Sequence, residues 1–240
     1  MKTLILTDNP YSLALALELQ NLHGEIDVFQ SPQGPLPGVA RLKINDRIEW
    51  VKSNYRLVLS IHCKQLFNRE LLASIRCINV HPGYNPYNRG WYPQVFSIIN
   101  GKKAGVTIHE IDDQLDHGPI ILRRECRIEE WDTSGTAYKK LISLEREMLL
   151  ECFGSLRDHD YVTSRPESEG NVNFRADFED LCRLDLDEHG TFDTFLKRLR
   201  ALTHDDFRNA YFVDRNGRKV FVQISLEPDE DGQLTDRLDP

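Results

Sequence analysis

The chain has 240 residues, of which 40% are hydrophobic and 28% are charged. This length allows one domain with a small appendage, and its core is large enough to fold without disulfide or metal support. The net charge of −8 excludes a general field that would attract nucleic acid or an anionic membrane surface, because both need clustered positive charge.

The first 162 residues alternate short apolar runs with helical patterns, which is typical of a Rossmann-like α/β fold. Buried strands are predicted at residues 3–7, 26–29, 57–61 and 77–80, followed by a half-exposed strand at 106–111 and its partner at 120–128. Helices are predicted from Ser12, as the N-cap, to Leu22, near 46–54 and 69–75, from Tyr92 to Asn100, and from Thr133, capped by Asp132, to Leu156.

A second, smaller unit is predicted at residues 174–240, after a linker at 163–173 that is rich in Ser, Pro, Glu, Gly and Asn. Its helix runs from Thr191 to Leu202, and we expect Arg198 and Arg200 on the solvated face. An Asn-Gly turn then joins two strands into a β-hairpin, at Ala210–Val213 and Lys219–Ile224. A lone hairpin is marginally stable in water, so its apolar side chains must pack on the main domain or on another copy.

The cysteines and the apolar runs indicate the compartment. The five cysteines are odd in number, widely spaced and without a Cys-x-x-Cys pair, which argues against a disulfide framework and for a reducing environment. No apolar run reaches the roughly 18–20 residues that a membrane span needs, and the first residues turn acidic too early for a signal peptide. We therefore expect a cytoplasmic protein.

Three polar residues form a candidate reaction site. Asn79 and His81 lie two apart at the end of a predicted strand, so both side chains project the same way. In an open parallel sheet, ligands bind at the carboxyl ends of the strands, and the turn that holds Asp116 can return to that edge. An amide, an imidazole and a carboxylate together suit acyl transfer. Taken singly, the same residues are also explained by a capped loop and by turn chemistry.

The order of three motifs resembles the folate-dependent formyltransferase family. That family has an Asn-x-His-Pro strand end, a Gly-Val-Thr-Ile-His strand and a Leu-Asp-x-Gly-Pro-Ile turn, which correspond here to segments beginning at Asn79, Gly105 and Leu115. The resemblance covers roughly residues 1–155. It implies a Rossmann-like formyltransferase domain, a catalytic trio of Asn79, His81 and Asp116, and N10-formyltetrahydrofolate as formyl donor, with no metal.

Within this family, two segments resemble the dTDP-4-amino-4,6-dideoxyhexose N-formyltransferases, namely Ser60–Phe67 and Asn85–Pro93. This resemblance implies a dTDP-linked amino sugar as substrate, in the synthesis of a bacterial surface polysaccharide such as lipopolysaccharide O-antigen. It also implies a homodimer built by the C-terminal hairpin. A UDP-linked sugar, a 3-amino isomer, and a non-catalytic binding module of the same fold remain alternatives.

The resemblance also indicates candidate ligand contacts. Candidates for the sugar nucleotide are Asn9, Tyr84, Asn85, Arg89 and Trp91, and candidates for the folate are Lys64, Gln65, Asp112 and Asp113. Arg89 and Trp91 together could offer a diphosphate a guanidinium fork and a stacking ring. A surface arginine beside a half-buried tryptophan explains that pair equally well, and turn chemistry explains Asn9.

Other readings of the sequence have less support. His62, His109 and His117 could form a metal site with His81, but their spacing is irregular and we expect none. The segment Asp8–Ser12 lacks the Gly-rich phosphate loop of the purine-pathway members. The short C-terminal unit and the negative net charge make tRNA an unlikely partner.

Overall fold

The computed structural model describes residues 2–166 and 168–229. Its strands are, in chain order, β1 (Lys2–Leu6), β2 (Ile26–Phe29), β3 (Tyr55–Ile61), β4 (Arg76–His81), β5 (Arg89–Gly90), β6 (Ala104–Glu110), β7 (Ile120–Cys126), β8 (Val172–Asn173), β9 (Thr203–His204), β10 (Phe207–Arg208), β11 (Tyr211–Val213) and β12 (Lys219–Phe221). Its helices are α1 (Pro10–His23), α2 (Ile48–Asn54), α3 (Arg69–Ser74), α4 (Pro93–Asn100), α5 (Ser134–Asp158), α6 (Arg175–Cys182) and α7 (Phe192–Leu202). In that part of the chain, no helix combines the length and the apolar character that crossing a membrane requires.

Six strands form the central sheet in the order β2-β1-β3-β4-β6-β7. The first four are parallel, whereas β6 runs antiparallel to β4 and β7 antiparallel to β6. Alternating side chains cover both faces with apolar groups. One face packs on α1 and α5, and the other packs on α2 and α3. This architecture confirms the predicted Rossmann-like α/β fold.

Strand β6 differs from its prediction as a half-exposed strand. Its residues from Ala104 to His109 are buried, because β6 lies between β4 and β7 and helix α5 packs against it. Along β6, the apolar residues therefore face one buried environment and the polar residues face another. Apolar Val106 and Ile108 belong to the core, whereas Thr107 and His109 belong to a buried polar cluster.

Two predicted helix caps are wrong. Helix α1 begins two residues before Ser12, because the carboxamide oxygen of Asn9 accepts hydrogen bonds from the backbone N–H groups of Tyr11 and Ser12. Helix α5 has Thr133, not Asp132, as its N-cap, since the Thr133 hydroxyl accepts from the backbone N–H of Thr136. Asp132 instead forms an ion pair with Lys140 at 2.5 Å.

The segment predicted as a linker is attached to the sheet domain. Ser164 and Ile120 exchange two backbone hydrogen bonds, each 2.8 Å long, and β8 pairs in parallel with β5. The side chain of Asn171 adds bonds to the backbone N–H and the side chain of Asn88. These bonds fix the path of the chain as it leaves α5 for the C-terminal unit.

The C-terminal unit contains the predicted helix and hairpin. Strands β11 and β12 pair with each other in a separate two-stranded sheet, with Phe212 opposite Val220, so the hairpin does not extend the main sheet of its own chain. Val213, Val220 and Phe221 each expose about two fifths of their surface. The last eleven residues of the predicted unit, 230–240, lie outside the described residues.

The predicted solvent-facing position of Arg198 and Arg200 is wrong. Arg200 is buried and donates to the backbone carbonyls of Asp132 at 2.9 Å and Glu129 at 2.7 Å. Arg198 donates to the carbonyls of Leu181 and Arg183. Both arginines therefore attach α7 to neighbouring segments of the chain, and Arg200 connects it to the turn before α5.

Replacing Arg200 by methionine should lower the free energy of unfolding by about 2 kcal/mol, because two buried carbonyls lose a charged donor. Urea denaturation followed by circular dichroism measures this. The matched control is Lys197→Met on the same helix, whose ion pair with Asp193 is exposed and which should change stability by less than about 0.5 kcal/mol. Equal stability of the two variants would contradict the role given to Arg200.

Candidate active site

The carboxylate of Asp116 lies at the centre of the polar cluster at the end of β4. One oxygen accepts a hydrogen bond from Asn79 Nδ2 at 2.9 Å. The other accepts from the backbone N–H of Gly90 at 3.0 Å and lies 3.4 Å from His81 Nδ1. The structure therefore brings together all three residues of the predicted trio.

The sheet dictates this arrangement. Asn79 and His81 alternate along β4 with Ile78 and Val80, which lie in the core on the α1 and α5 side. Both polar side chains must then project to the opposite face. Asp116 reaches that face from the loop between β6 and β7, where its backbone has a φ of +47°, a value that aspartate tolerates better than most residues.

His109 is a member of this cluster that the sequence analysis considered only as a metal ligand. It pairs with Asn79 across β4 and β6. Its Nδ1 lies 2.7 Å from the carbonyl of Glu110, which can only accept, so Nδ1 carries a proton. In the neutral ring, Nε2 is then an acceptor 3.3 Å from Asn79 Nδ2. The sequence does contain a signal for His109. Side chains alternate along β6, so His109 lies on the same polar side of the strand as Thr107.

Burial and charge set the protonation of Asp116. Burial by itself would raise the pKa of this carboxyl, but the facing His81 and His109 and the Gly90 N–H outweigh it. The pKa of Asp116 therefore lies well below its usual value, and the group is a carboxylate.

His81 is buried, and burial lowers its pKa to about 4. The carboxylate of Asp116 opposes this shift, whereas positive charge on His109, His62 and Arg89 adds to it. The imidazole that the sequence predicts here for moving a proton is neutral around pH 7 in the resting protein. It therefore begins as a proton acceptor.

Two buried polar atoms of the cluster have no hydrogen-bond partner within the described residues, namely His81 Nε2 and Asn85 Oδ1. Buried polar atoms are nearly always paired in folded proteins, so these two atoms are candidate contacts for a ligand. Residue 83 packs closely against His81 Nε2 and must be glycine, because a Cβ atom there would collide with that nitrogen.

The loop after β4 is held by its own contacts. Asn85 donates from Nδ2 to the carbonyl of Asp116 at 2.7 Å, and its backbone N–H donates to the Thr107 hydroxyl at 3.0 Å. Arg123 donates to the carbonyl of Asn85 and stacks over the ring of Tyr84, 4.3 Å from its centroid. Asn85 and Tyr84 are both candidates for contact with the substrate. Asn85 borders Asp116 directly, and Tyr84 precedes Asn85 in the chain.

Arg89 and Trp91 contact neighbouring segments of the chain. Arg89 is buried and donates to the carbonyls of Leu115 and Glu169, which holds two loops together, while its Nε has no hydrogen-bond partner among the described residues. The ring of Trp91 lies 5.9 Å from the guanidinium of Arg175. Their suggested contact with a diphosphate stays a prediction.

The remaining candidates for ligand contact are Asn9, Gln65, Lys64, Asp112 and Asp113. The side chain of Asn9 caps α1 and donates to Tyr138 Oη at 2.8 Å. Gln65 bonds to the backbone of Leu42 and Ile44.

Lys64 exposes its side chain, while its backbone N–H donates to Asp8. Asp112 accepts from His117 Nδ1 at 2.7 Å and Asp113 pairs with Arg69. Most of these side chains therefore already have partners inside the protein.

The four histidines do not form a metal centre. Within residues 2–166 and 168–229, no group of three or more His, Cys, Asp or Glu side chains is arranged to hold a metal ion. His62 pairs instead with Glu145.

Comparison with known proteins identifies the family of the chain. Residues 46–153 match the family model described as formyl transferase, and residues 177–228 match the N-formyltransferase dimerization C-terminal domain. The chain belongs to the formyltransferase family and is an enzyme of that family.

Individual relatives match over nearly their whole length. The dTDP-4-amino-4,6-dideoxyglucose formyltransferase of Mycobacterium tuberculosis is 61% identical over 230 residues, which cover 96% of this chain and 98% of that protein. A sugar N-formyltransferase from a Shewanella species superposes with a TM-score of 0.91 at 37% identity, covering 96% and 99% of the two chains. A 4-N formyltransferase from Francisella tularensis gives 0.89 at 34% identity, covering 95% and 98%.

Replacing Gly83 by alanine should lower turnover by about tenfold to a hundredfold, because the new methyl group displaces His81 from its position beside Asp116. Steady-state assay of formyl transfer measures the loss. Gly154→Ala is the matched control, since a Cβ there meets no atom within 4 Å. It should keep turnover and raise the stability of α5 by about 0.5–1 kcal/mol. Full activity of Gly83→Ala would contradict the tight contact.

Proposed function

We propose that the protein transfers a formyl group from N10-formyltetrahydrofolate to the 4-amine of dTDP-4-amino-4,6-dideoxyglucose. The observation that carries this proposal is the trio around one carboxylate: Asp116 accepts from Asn79 and faces Nδ1 of His81, while Nε2 of His81 has no hydrogen-bond partner among the described residues. The 61% identity to a formyltransferase for that sugar nucleotide supports the choice of substrate.

In the proposed reaction, the nitrogen lone pair of the sugar amine attacks the formyl carbon. A C–N bond forms and the formyl C=O becomes a tetrahedral oxyanion. The amine proton passes to His81 Nε2, and the resulting imidazolium is stabilised by the carboxylate of Asp116. When the bond from the carbon to N10 breaks, His81 returns the proton to N10, which leaves tetrahydrofolate and a formamido sugar.

Asn79 is the proposed donor to the oxyanion. Its amide bonds to Asp116 at 2.9 Å and to His109 at the longer distance of 3.3 Å. We propose that the longer contact is exchanged for the oxyanion as it forms. One such donor contributes about 3 kcal/mol to lowering the barrier. Asp116 also holds the tautomer of His81, because its carboxylate faces Nδ1 and leaves Nε2 towards the reacting groups.

We also propose a homodimer in which the C-terminal hairpin forms the contact. The family model matched by residues 177–228 is named for dimerization. Val213, Val220 and Phe221 form an exposed apolar group on the hairpin. A second copy can bury such a group on both sides through a two-fold axis, which is the commonest symmetry of soluble dimers.

A cytoplasmic location and a role in surface-polysaccharide synthesis complete the proposal. All five cysteines are free in the structure, which suits a reducing compartment. A formamido sugar that still carries its diphosphate linkage is an activated glycosyl donor, so a glycosyltransferase is the class of enzyme that consumes it.

The proposed reaction is tested by a formyl-transfer assay on a panel of sugar nucleotides. We expect turnover of dTDP-4-amino-4,6-dideoxyglucose with N10-formyltetrahydrofolate, and much slower reaction with its 3-amino isomer and a UDP-linked analogue. His81→Asn and Asp116→Asn should each lower turnover about a hundredfold or more while the circular dichroism spectrum is retained. Preference for another member of the panel would overturn the substrate, and an active His81→Asn enzyme would overturn the mechanism.

The dimer is tested by replacing Phe221 with aspartate, which places a charge in the proposed contact. Sedimentation at micromolar concentration should show a dimer for the unaltered protein and a shift to monomer for the variant, with at least part of the formyl transfer retained. Val162→Asp is the control, because Val162 is more exposed but lies outside the C-terminal unit. A monomeric unaltered protein would refute the proposed contact.

A further inference from the structure

The turn that carries Asp116 is held by β5 and by the loop that leads into it. Asn85 Nδ2 donates to the backbone carbonyl of Asp116 at 2.7 Å. Arg89 Nη1 donates to the carbonyl of Leu115 at 3.4 Å. The Gly90 N–H donates to the Asp116 carboxylate itself at 3.0 Å. The position of the carboxylate therefore depends on the path that this loop follows.

Asn88 lies in the middle of this loop. It is completely buried, and its backbone has a φ of +51°. Glycine and asparagine both tolerate such a backbone, but only asparagine adds a side-chain amide. The reaction described above assigns no role to this residue.

The amide of Asn88 joins three parts of the chain. Its Nδ2 donates to Ser97 Oγ in α4 at 3.0 Å. Its Oδ1 accepts from Asn100 Nδ2 at the end of α4 at 2.8 Å, and from Asn171 Nδ2 at 2.9 Å. Asn171 returns a bond, since its Oδ1 accepts from the backbone N–H of Asn88 at 3.1 Å. A buried network whose members are paired in this way holds the loop in one arrangement.

The backbone extends this attachment to Gly90. The N–H of Arg89 donates to the carbonyl of Asn171 at 3.0 Å, and Gly90 lies opposite Asn173 where β5 pairs with β8. Gly90 has a φ of +89°, and a Cβ atom there would collide with the Asn173 carbonyl. The two strands therefore pack closely, with the Gly90 N–H directed at Asp116.

We propose that Asn88 is a positioning residue for formyl transfer. Its amide fixes the start of β5, so that the Gly90 N–H stays on the carboxylate of Asp116. The oxygen that accepts this bond is the one that lies 3.4 Å from His81 Nδ1. A displaced Gly90 would release that oxygen, which holds the tautomer of His81 in the proposed reaction. This inference rests on the proposed role of Asp116.

The first test replaces Asn88 by glycine, which removes the amide and keeps the left-handed backbone. We expect kcat to fall about tenfold while the circular dichroism spectrum is retained, because a small displacement of a reacting group is costly. Asn171→Ala removes the reciprocal partner and should lower kcat by a similar factor, so it repeats the test in a second variant. Full kcat in both folded variants would overturn the proposal.

Arg200→Met is the matched control for lost stability. It also removes two buried hydrogen bonds, but these join α7 to the turn before α5. We expect this variant to unfold more easily and to keep its kcat. A fall in kcat equal to that of Asn88→Gly would show that weaker folding alone lowers turnover, and the proposal would fail.

Hydrogen exchange of the Gly90 amide measures the positioning without any need for activity. This N–H must leave Asp116 before it exchanges, whereas the amide of Leu59, in the centre of the sheet, exchanges only when the sheet opens. The exchange rate of Gly90 relative to Leu59 should rise at least about tenfold in Asn88→Gly, with no such rise in Arg200→Met. An unchanged ratio in Asn88→Gly would overturn the inference.

A double variant tests whether Asn88 acts through Asp116. In an Asp116→Asn background, Asn88→Gly should lower kcat by less than about twofold, because the carboxylate that it positions is already gone. A contact that only supports the fold would lower kcat by the same factor in both backgrounds, which would overturn the inference. If the exchange ratio rises as expected but the unaltered protein transfers no formyl group, the proposed function fails while the positioning of the carboxylate stands.

Discussion

The carboxylate of Asp116 lies where three separate parts of the chain meet, and most of the site depends on keeping it charged while buried. The amide of Asn79, the backbone of Gly90 and the rings of His81 and His109 all face it. A buried charge that lost these partners would cost several kcal/mol. The strand end, the loop after it and the turn between β6 and β7 are therefore bound into one unit.

Burial also determines the proposed chemical roles of Asp116 and His81. Asp116 stays ionised because the facing His81 and His109 and the Gly90 N–H outweigh its burial, whereas His81 stays neutral because burial outweighs the nearby carboxylate. Two titratable groups 3.4 Å apart thus rest in the states that a proton transfer from an amine requires. The glycine at position 83 lets the backbone pack against the ring of His81 without displacing it, because a Cβ atom there would collide with Nε2.

The C-terminal unit is joined to the sheet domain by polar contacts as well as by packing. Arg200 reaches the carbonyls before α5. The segment that precedes the C-terminal unit contains β8, which pairs with β5, and β5 carries the Gly90 N–H that bonds to Asp116. The apolar residues of the hairpin stay exposed within one chain.

Much of this could be predicted from the sequence, because it depends on neighbours along the chain. Alternating and helical patterns located the six strands of the central sheet and every helix except α6 to within a few residues, and the spacing of Asn79, His81 and Asp116 placed them at one edge of the sheet. The inward orientation of Arg89 and Arg200 and the pairing of His62 with Glu145, 83 residues away, could not be predicted. A single polar residue has the same pattern whether it faces water or a buried partner, and only the folded chain decides which carbonyl or carboxylate it meets.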